Sequence, residues 1–596
     1  MAAADKVQQM IQARKNAETY SIAEQWEETV ANKKDKICFH YLGDPENNFP
    51  PRALTFNNVD AIANQVAHWA LEQGLKKGDT VALFFENRPE FVALWLGFAK
   101  LGIITAWINN TIKLAPLVHS ISVSQAKMVI FGAELTNVVK DVARDLTMNG
   151  IEQIIMSGTC NFCRSIDGEL FVQPTTTFSN TYRKGVKYTD TMCYIYTSGT
   201  TGLPKASIIQ HLKYCNIGIG GQALFSDTDV GYGGGMPLYH SAAGMIGIGY
   251  VVCAGLTYVI RKKFSAKNWL SDIRKYKVTI GQYIGELARY ILSIPEEAND
   301  DENTLRFMIG NGLRPEYWDT FQIRFGVDII VEFYGSTEGT GGFQNYIFLD
   351  NLKKGNYDGY GSVGQLTNEN IMFLKYDVEK DELIRDSNGY CIKADVNEPG
   401  EMVVKVIKGE TEFVGYTNKE ATKKKLLENV FEAGDMFTRT GDLMKVDEKN
   451  WVYFVDRIGD TFRWKGENVS TAEVATELAK FPNVDEVNVY GVQIPNNEDG
   501  RAGCCAMIMP DTSAENLQRF YTHASSSLPS YSVPVFLRIL PQMQITGTFK
   551  HQKVQMRNDG IDPVKVSDQI YYLEKGVYKL MDMAAYQKIT SVGARL

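Results

Sequence analysis

Along most of the chain, short apolar runs of strand length alternate with longer stretches of helical length. VALFF, from Val81 to Phe85, is followed by RPEFVALWLGFAKLG, from Arg88 to Gly102; the pair reads as a buried strand feeding a helix. KMVIFG around Val129, TYVIRKK around Val259, VDIIVEFYG ahead of Ser336 and EMVVKVI around Val403 repeat the strand signal. This alternation predicts α/β layering over several sheets. Around Asp456 the texture changes. WVYFVDR and DTFRWKGENVS are strand-like, and AEVATELAKFPNVDEVNVYGV continues as helix, turn and strand, which predicts a small α+β domain. The expected division is a large multi-sheet α/β N-terminal domain over 1–456 and a smaller C-terminal domain over 457–596. EEANDDEN (Glu296 to Asn303) and NKEATKKKLLEN (Asn418 to Asn429) read as solvated loop or helix surface.

One stretch tests the soluble reading: SAAGMIGIGYVVCAGLTYVI, from Ser241 to Ile260, carries no charge over about the length of a membrane span. Its four glycines and small polar flanks favour a buried helix that turns into a core strand. The opening MAAADKVQQMIQARKNAETY lacks an apolar core flanked by charge, so a polar helical start is expected in place of a signal peptide. With 44% hydrophobic and 22% charged residues over 596 positions, the chain is of the folded globular class. A net charge of -8 argues against nucleic-acid binding. Nine cysteines in so long a chain form no disulfide framework, and Cys160 with Cys163 has no second CxxC to complete a zinc site. Reduced thiols in an intracellular compartment are expected.

TSGTTGLPK, from Thr197 to Lys205, crowds hydroxyls and glycines before a lysine, directly after the apolar strand CYIYT. A Walker loop needs G-x-x-x-x-G-K-[ST], whereas here Gly199 is followed five residues later by Pro204. What remains is a turn whose Thr197, Ser198, Thr200 and Thr201 hydroxyls and backbone amides, with Gly199 and Gly202, can donate to phosphate oxygens while Lys205 adds charge.

The string resembles the AMP-binding signature of the adenylate-forming superfamily, and further segments follow in that superfamily's order: PLYHSAAG (Pro237 to Gly244), GNGLRPEYW (Gly310 to Trp318), EFYGSTEG (Glu332 to Gly339), TGDL (Thr440 to Leu443) and DRIGDTFRWKGENVS (Asp456 to Ser470). VDRIGDTFRWKGENVST, ITGTFKHQK, PLYHSAAG and RKKFSA together resemble the very-long-chain acyl-CoA synthetases, also called fatty acid transport proteins, from about Ile22 to the C-terminus. The resemblance implies an acyl-CoA synthetase-like fold with a mobile C-terminal domain. It also implies a two-step reaction, in which a fatty carboxylate attacks the α-phosphorus of ATP and the thiol of CoA then displaces AMP.

Carried onto this chain, the resemblance gives Glu338 and Thr197 to magnesium, and Thr337, Lys205 and Lys550 to the phosphates. Lys553 is the alternative to Lys550. Tyr334 would stack on adenine, Gly312, Leu313 and Arg314 would line the base pocket, and Asp442 with Arg457 would hold the ribose. His240 would gate the acyl and CoA channels, and Lys465 with Gly466 would face the thioester site. Gly459 stands at the family's hinge position, where Asp or Lys is usual, and Asp460 could share that role. The expected cofactors are ATP, Mg2+ and CoA, and the expected partners are those molecules and a fatty acid, with peripheral membrane association and a homodimer allowed for. Many relatives begin with a transmembrane segment, and these opening residues do not read as one. The endoplasmic reticulum or the peroxisome is the expected location, the latter because Ala594-Arg595-Leu596 is similar to a peroxisomal address; the plasma membrane is the alternative. A fatty acid carrier with a vestigial nucleotide site is the competing reading. A luciferase-like oxygenase or a carrier-protein ligase fits the subfamily motifs less well.

Overall fold

The apolar runs form strands where their burial on both faces demands it. Thr80–Phe84 is buried at every position and lies between parallel neighbours, Ile104–Trp107 and Met128–Gly132; a strand covered on both faces needs an unbroken apolar run. The helix after it, Pro89–Ala99, opens on proline, whose missing N–H costs nothing at a first helical turn. Its residues are buried all round, as the absence of a polar stripe predicts. The computed structural model describes residues 9, 11–198, 203–222, 224–378, 380–407, 412–465, 467–496, 500–543 and 553–591.

The chain divides into two compact units. One comprises Met1–Tyr360 with Phe413–Lys425, the other Gly361–Glu412 with Leu426–Leu596. Among the described residues, the first unit holds an eight-stranded and a seven-stranded sheet. In the eight-stranded sheet, Ile280–Ile284, Phe307–Asn311 and Ile329–Tyr334 run parallel and side by side, closed at the edge by antiparallel Phe343–Phe348. Their C-terminal ends therefore open on one rim, where ligands of parallel sheets bind. In the seven-stranded sheet, Thr191–Ser198 pairs with Ile104–Trp107 and turns back into antiparallel Pro204–Gln210.

Ser241–Ile260 is a π-helical turn, Ser241–Gly247, then an α-helix, Ile248–Ala254, then the buried strand Thr257–Ile260. Gly255, at φ 72°, makes the bend between helix and strand. Among the described residues no helix is long and apolar enough to cross a membrane.

The second unit carries a seven-stranded antiparallel sheet that includes Gly400–Lys405, Met436–Val446 and Trp451–Arg457. After it come the hairpin Phe462–Trp464 with Glu467–Val469, the helix Thr471–Ala479 and a five-stranded sheet that starts with Glu486–Gln493. One buried cluster, from Phe462 to Ile589, packs this last part.

Candidate active site

The described ends of TSGTTGLPK sit on two paired antiparallel strands. Thr197 lies opposite Lys205 and Ser198 opposite Pro204 in the ladder; Gly199, Thr200, Thr201 and Gly202 lie outside the described residues, and Ser198 is described by its backbone alone. The second of these strands is joined by Tyr416: Ser207 bridges Tyr416, Ile208 N donates to Gly415 O at 2.9 Å, and Thr417 N donates to Ala206 O at 3.0 Å. This brings the Tyr416 ring under the Lys205 ammonium, 5.8 Å from its centroid. The Tyr416 hydroxyl donates to Glu338 Oε1 at 2.8 Å and is also hydrogen-bonded to the Thr197 side chain. Burial, and after it the charge of Glu338, raises this phenol well above its ordinary value, so it stays protonated and remains a donor. Lys425 Nζ stands 4.0 Å from the same carboxylate.

Glu338 is held from its backbone as well. Lys213 Nζ donates to the carbonyls of Thr337 and Gly339, at 2.6 and 2.7 Å, one on each side of Glu338. Burial around this ammonium pushes it down to about 8, against the attraction of Glu338. The Thr337 hydroxyl meets Ser241 Oγ at 3.2 Å, at the start of the π-helical turn. His240 caps that turn, accepting from Ala242 N through Nδ1 at 3.4 Å. The hydroxyls, lysine and carboxylate assigned to phosphate and metal, namely Thr197, Lys205, Thr337 and Glu338, thus share a network of contacts through Tyr416 and Lys213.

Gly312, Leu313 and Arg314 follow the strand Phe307–Asn311 on the common rim. Gly312 has φ 72°, and its carbonyl packs so closely on Gly285 that a Cβ there would lie 1.7 Å from the oxygen; both positions require glycine. The loop is fastened from below by Glu332, in the neighbouring strand Ile329–Tyr334. Gly312 N donates to Glu332 Oε1 at 2.5 Å, Leu313 N also donates to this carboxyl, and Tyr283 OH meets Oε2 at 2.5 Å. Leu313 O accepts from Trp318 Nε1 at 2.7 Å, and Arg314 stands 3.7 Å from Glu286. The Tyr334 ring lies against Phe343, 6.3 Å between centroids.

Burial pushes Glu332 up to about 8 despite its three donors, so it is neutral at pH 7. A carboxyl raised in the fold stabilises fully below its unfolded value, and that contribution is lost as pH rises through the folded one. Between the ordinary carboxylate range and pH 8, wild-type stability should therefore fall by about 1.4 kcal/mol per pH unit from this group, and flatten above. Glu332→Gln, neutral and of the same shape, should lack that slope. Denaturant midpoints of the two proteins at pH 5 to 9 measure it, and parallel curves would refute the neutral acid.

In the second unit, TGDL lies within the strand Met436–Val446. Gly441, at φ 83°, donates its N–H to Glu401 Oε1 at 3.2 Å, where the register with Gly400–Lys405 shifts. Asp442 faces Arg457 across the ladder, with Oδ1 and Nε 3.9 Å apart. Beyond Arg457, Arg557 Nη1 donates to Gly459 O at 2.5 Å, and the Asp460 carboxylate meets Lys553 at 3.3 Å and Arg557 at 3.4 Å. Lys553 also donates to Thr471 Oγ1 at 2.7 Å. Lys465 is exposed at φ 51°, its ammonium 5.6 Å from the Trp464 ring centroid. Gly466, Lys550 and Ala594 to Leu596 lie outside the described residues.

Three residues to which the motifs assign no role support this arrangement. Lys213 is the single charged residue of the helix His211–Gln222, and Glu332 is the acid inside the apolar run IIVEFY; an isolated charge in such surroundings is the signal that could have marked both. Tyr416 gives no such local signal.

Parallel strands that end in the anchored Gly312–Arg314 loop and the Glu338 turn, with the strands Thr191–Ser198 and Pro204–Gln210 in the same unit, are the frame of an acyl-CoA synthetase-like fold. The AMP-binding enzyme family matches residues 26–416. Long-chain fatty acid transport protein 2 of Rattus norvegicus is 41% identical over 543 residues, which cover 88% of this chain and 84% of the relative. Long-chain fatty acid transport protein 1 of Homo sapiens is 39% identical over 555 residues, with 90% and 83% covered. Among solved structures, an anthranilate CoA ligase in complex with anthranoyl-AMP matches with a TM-score of 0.74 at 20% identity, over 90% of this chain and 97% of that one. The Mycobacterium tuberculosis fatty acyl CoA synthetase matches with a TM-score of 0.63 at 22% identity, over 90% and 98%. The chain belongs to the AMP-binding enzymes and, within them, to the long-chain fatty acid transport proteins, the very-long-chain acyl-CoA synthetase family. The family is one of AMP-binding enzymes, and the fold is that of the acyl-CoA synthetases.

Proposed function

We propose that the protein activates long- or very-long-chain fatty acids in a magnesium-dependent reaction, forming acyl-CoA, AMP and pyrophosphate through an acyl-adenylate. The observation that supports this best is the joining of Thr197, Lys205 and Glu338 around Tyr416. A fatty acid, with a pKa of about 4 to 5, is already ionised at neutral pH, so the first step needs no general base. The work left to the protein is to position the carboxylate and spread phosphate charge.

Magnesium suits the residues present. Glu338 and Thr197 offer the hard oxygens it prefers, and this ion takes most of its remaining ligands from substrate phosphates and water. Among the described residues no group of three or more His, Cys, Asp or Glu could hold a metal alone, which agrees with such a shared site. When bound, the ion would neutralise charge on the phosphates of ATP. Thr197, Lys205 and the loop amides would hold the β- and γ-phosphates and release them as pyrophosphate, Thr337 and Lys550 would contact the α-phosphate, and Tyr334 with Gly312, Leu313 and Arg314 would take adenine. Asp442 and Arg457 would take the ribose. In the second step the CoA thiol attacks the acyl carbon, a C–S bond replaces the C–O bond to AMP, and the thiol proton leaves. Rotation of the 457–596 part about Gly459 and Asp460 would exchange Lys550 for Lys465 and Gly466 between the steps, with His240 gating the channel.

Conversion to the charged thioester would trap fatty acid on one side of a membrane and so drive uptake without a dedicated pore. Purified protein given ATP, Mg2+, CoA and a ladder of carboxylic acids should form AMP and thioester in equal amounts, most rapidly with long chains. Fatty acid binding without AMP would favour the carrier reading, and AMP without thioester would point to another acceptor.

A further inference from the structure

After the strand Glu152–Met156 the chain makes a turn and then runs parallel to that strand as Arg164–Ser165. The turn carries the sequence Cys160-Asn161-Phe162-Cys163. It is fixed at several points. The Asp167 carboxylate accepts from Ser157 N at 2.9 Å and from Gly158 N at 3.1 Å. Arg88 donates to Ser157 Oγ at 2.6 Å, and the Phe162 ring stacks on Phe131, 6.3 Å between centroids and 2° from parallel. Held in this way, the two sulfurs lie 2.7 Å apart. The other seven cysteines are buried, whereas these two are half-exposed.

We propose that Cys160 and Cys163 form a reversible dithiol/disulfide site whose oxidant is a hydroperoxide, a modification outside the residues assigned to the ligase reaction. A disulfide bond is about 2.05 Å long, so closure needs a movement well under the length of one bond, in a turn that already faces its sulfurs together. The donor set argues against a metal, because among the described residues no group of three or more His, Cys, Asp or Glu gathers to hold one. Burial, and next the neighbouring Cys160, pushes the Cys163 thiol up to about 12. Either sulfur of the facing pair can attack the peroxide, and the balance is written with Cys160 attacking and Cys163 resolving.

The chemistry balances with one peroxide. The Cys160 thiolate attacks the O–O bond; an S–O bond forms, the O–O bond breaks, and the departing oxygen takes a proton and leaves as water from hydrogen peroxide or as an alcohol from an organic hydroperoxide. The Cys163 sulfur then displaces the hydroxyl of the sulfenic acid, which leaves as water with the thiol proton while the S–S bond forms. Two thiols lose two electrons to the peroxide. At the half-exposed turn, small thiols reach the disulfide and reverse it.

The full chain, fully reduced and then titrated with hydrogen peroxide, can be denatured, alkylated and cut with trypsin. The peptide Asp145–Arg164 contains Cys160 and Cys163 and no other cysteine. It should lose alkylation at both positions and become lighter by two hydrogens at doses that leave the buried cysteines fully alkylated, and dithiothreitol should restore it. In Cys163→Ser, Cys160 should instead accumulate as a sulfenic acid trapped by dimedone. Full alkylation of both cysteines across the titration, or their loss only together with that of the buried cysteines, would overturn the proposal.

Discussion

Glu338→Gln is expected to lower the rate of acyl-adenylate formation by about 10²- to 10³-fold, the scale seen when one preorganised charge-stabilising group is removed from an active site. The amide has the shape of the acid and keeps an oxygen for the Tyr416 hydroxyl, so the contact that joins Tyr416 to the Thr337–Gly339 turn persists. Lys213 still holds the carbonyls on either side. What is lost is the negative charge. Exchange of labelled pyrophosphate into ATP, driven by a long-chain acid, measures the adenylation step alone, and magnesium dependence should weaken along with the rate. Wild-type exchange in the variant at every magnesium concentration would remove Glu338 from the proposed metal site.

Lys550→Ala is expected to depress the same exchange by roughly 10²-fold or more, while thioester formation from added acyl-adenylate and CoA changes by no more than about twofold. The split follows from the proposed roles: this lysine serves only the step in which charge builds on the α-phosphate. Lys553, the neighbouring candidate, donates to Thr471 and pairs with Asp460, which commits it to the segment that carries Gly459. Equal loss in both half-reactions would show that Lys550 supports the fold or both steps, and not adenylation alone.

The sheets were legible where a strand is covered on both faces, because Thr80–Phe84 and Ile329–Tyr334 can tolerate little but apolar residues. The helix-to-strand reading of Ser241–Ile260 holds for the same reason, with Gly255 visible as the breaker. The segment Phe413–Lys425 was not legible. It belongs to the first unit although the residues on both sides of it belong to the second. Its backbone attachment is a pair of hydrogen bonds, Ile208 N to Gly415 O and Thr417 N to Ala206 O, on the strand Pro204–Gln210, and such pairing leaves no trace in side-chain periodicity. Tyr416, which joins Thr197, Lys205 and Glu338, was missed with it. Glu332 and Lys213 stood in plain view as lone charges, but their partners, mostly backbone groups, lie well apart from them in the chain. A motif search names recurring segments; it does not name the side chains that hold the backbone of those segments in place.

Lys213 also fixes how the region tolerates insertion. Its helix, His211–Gln222, begins where the strand Pro204–Gln210 ends, so a few residues of continuous chain separate Lys205 from the ammonium that grips the Glu338 turn. One residue added between Gln210 and Lys213 would rotate that ammonium by about 100° around its helix, releasing Glu338 while every named motif stayed intact.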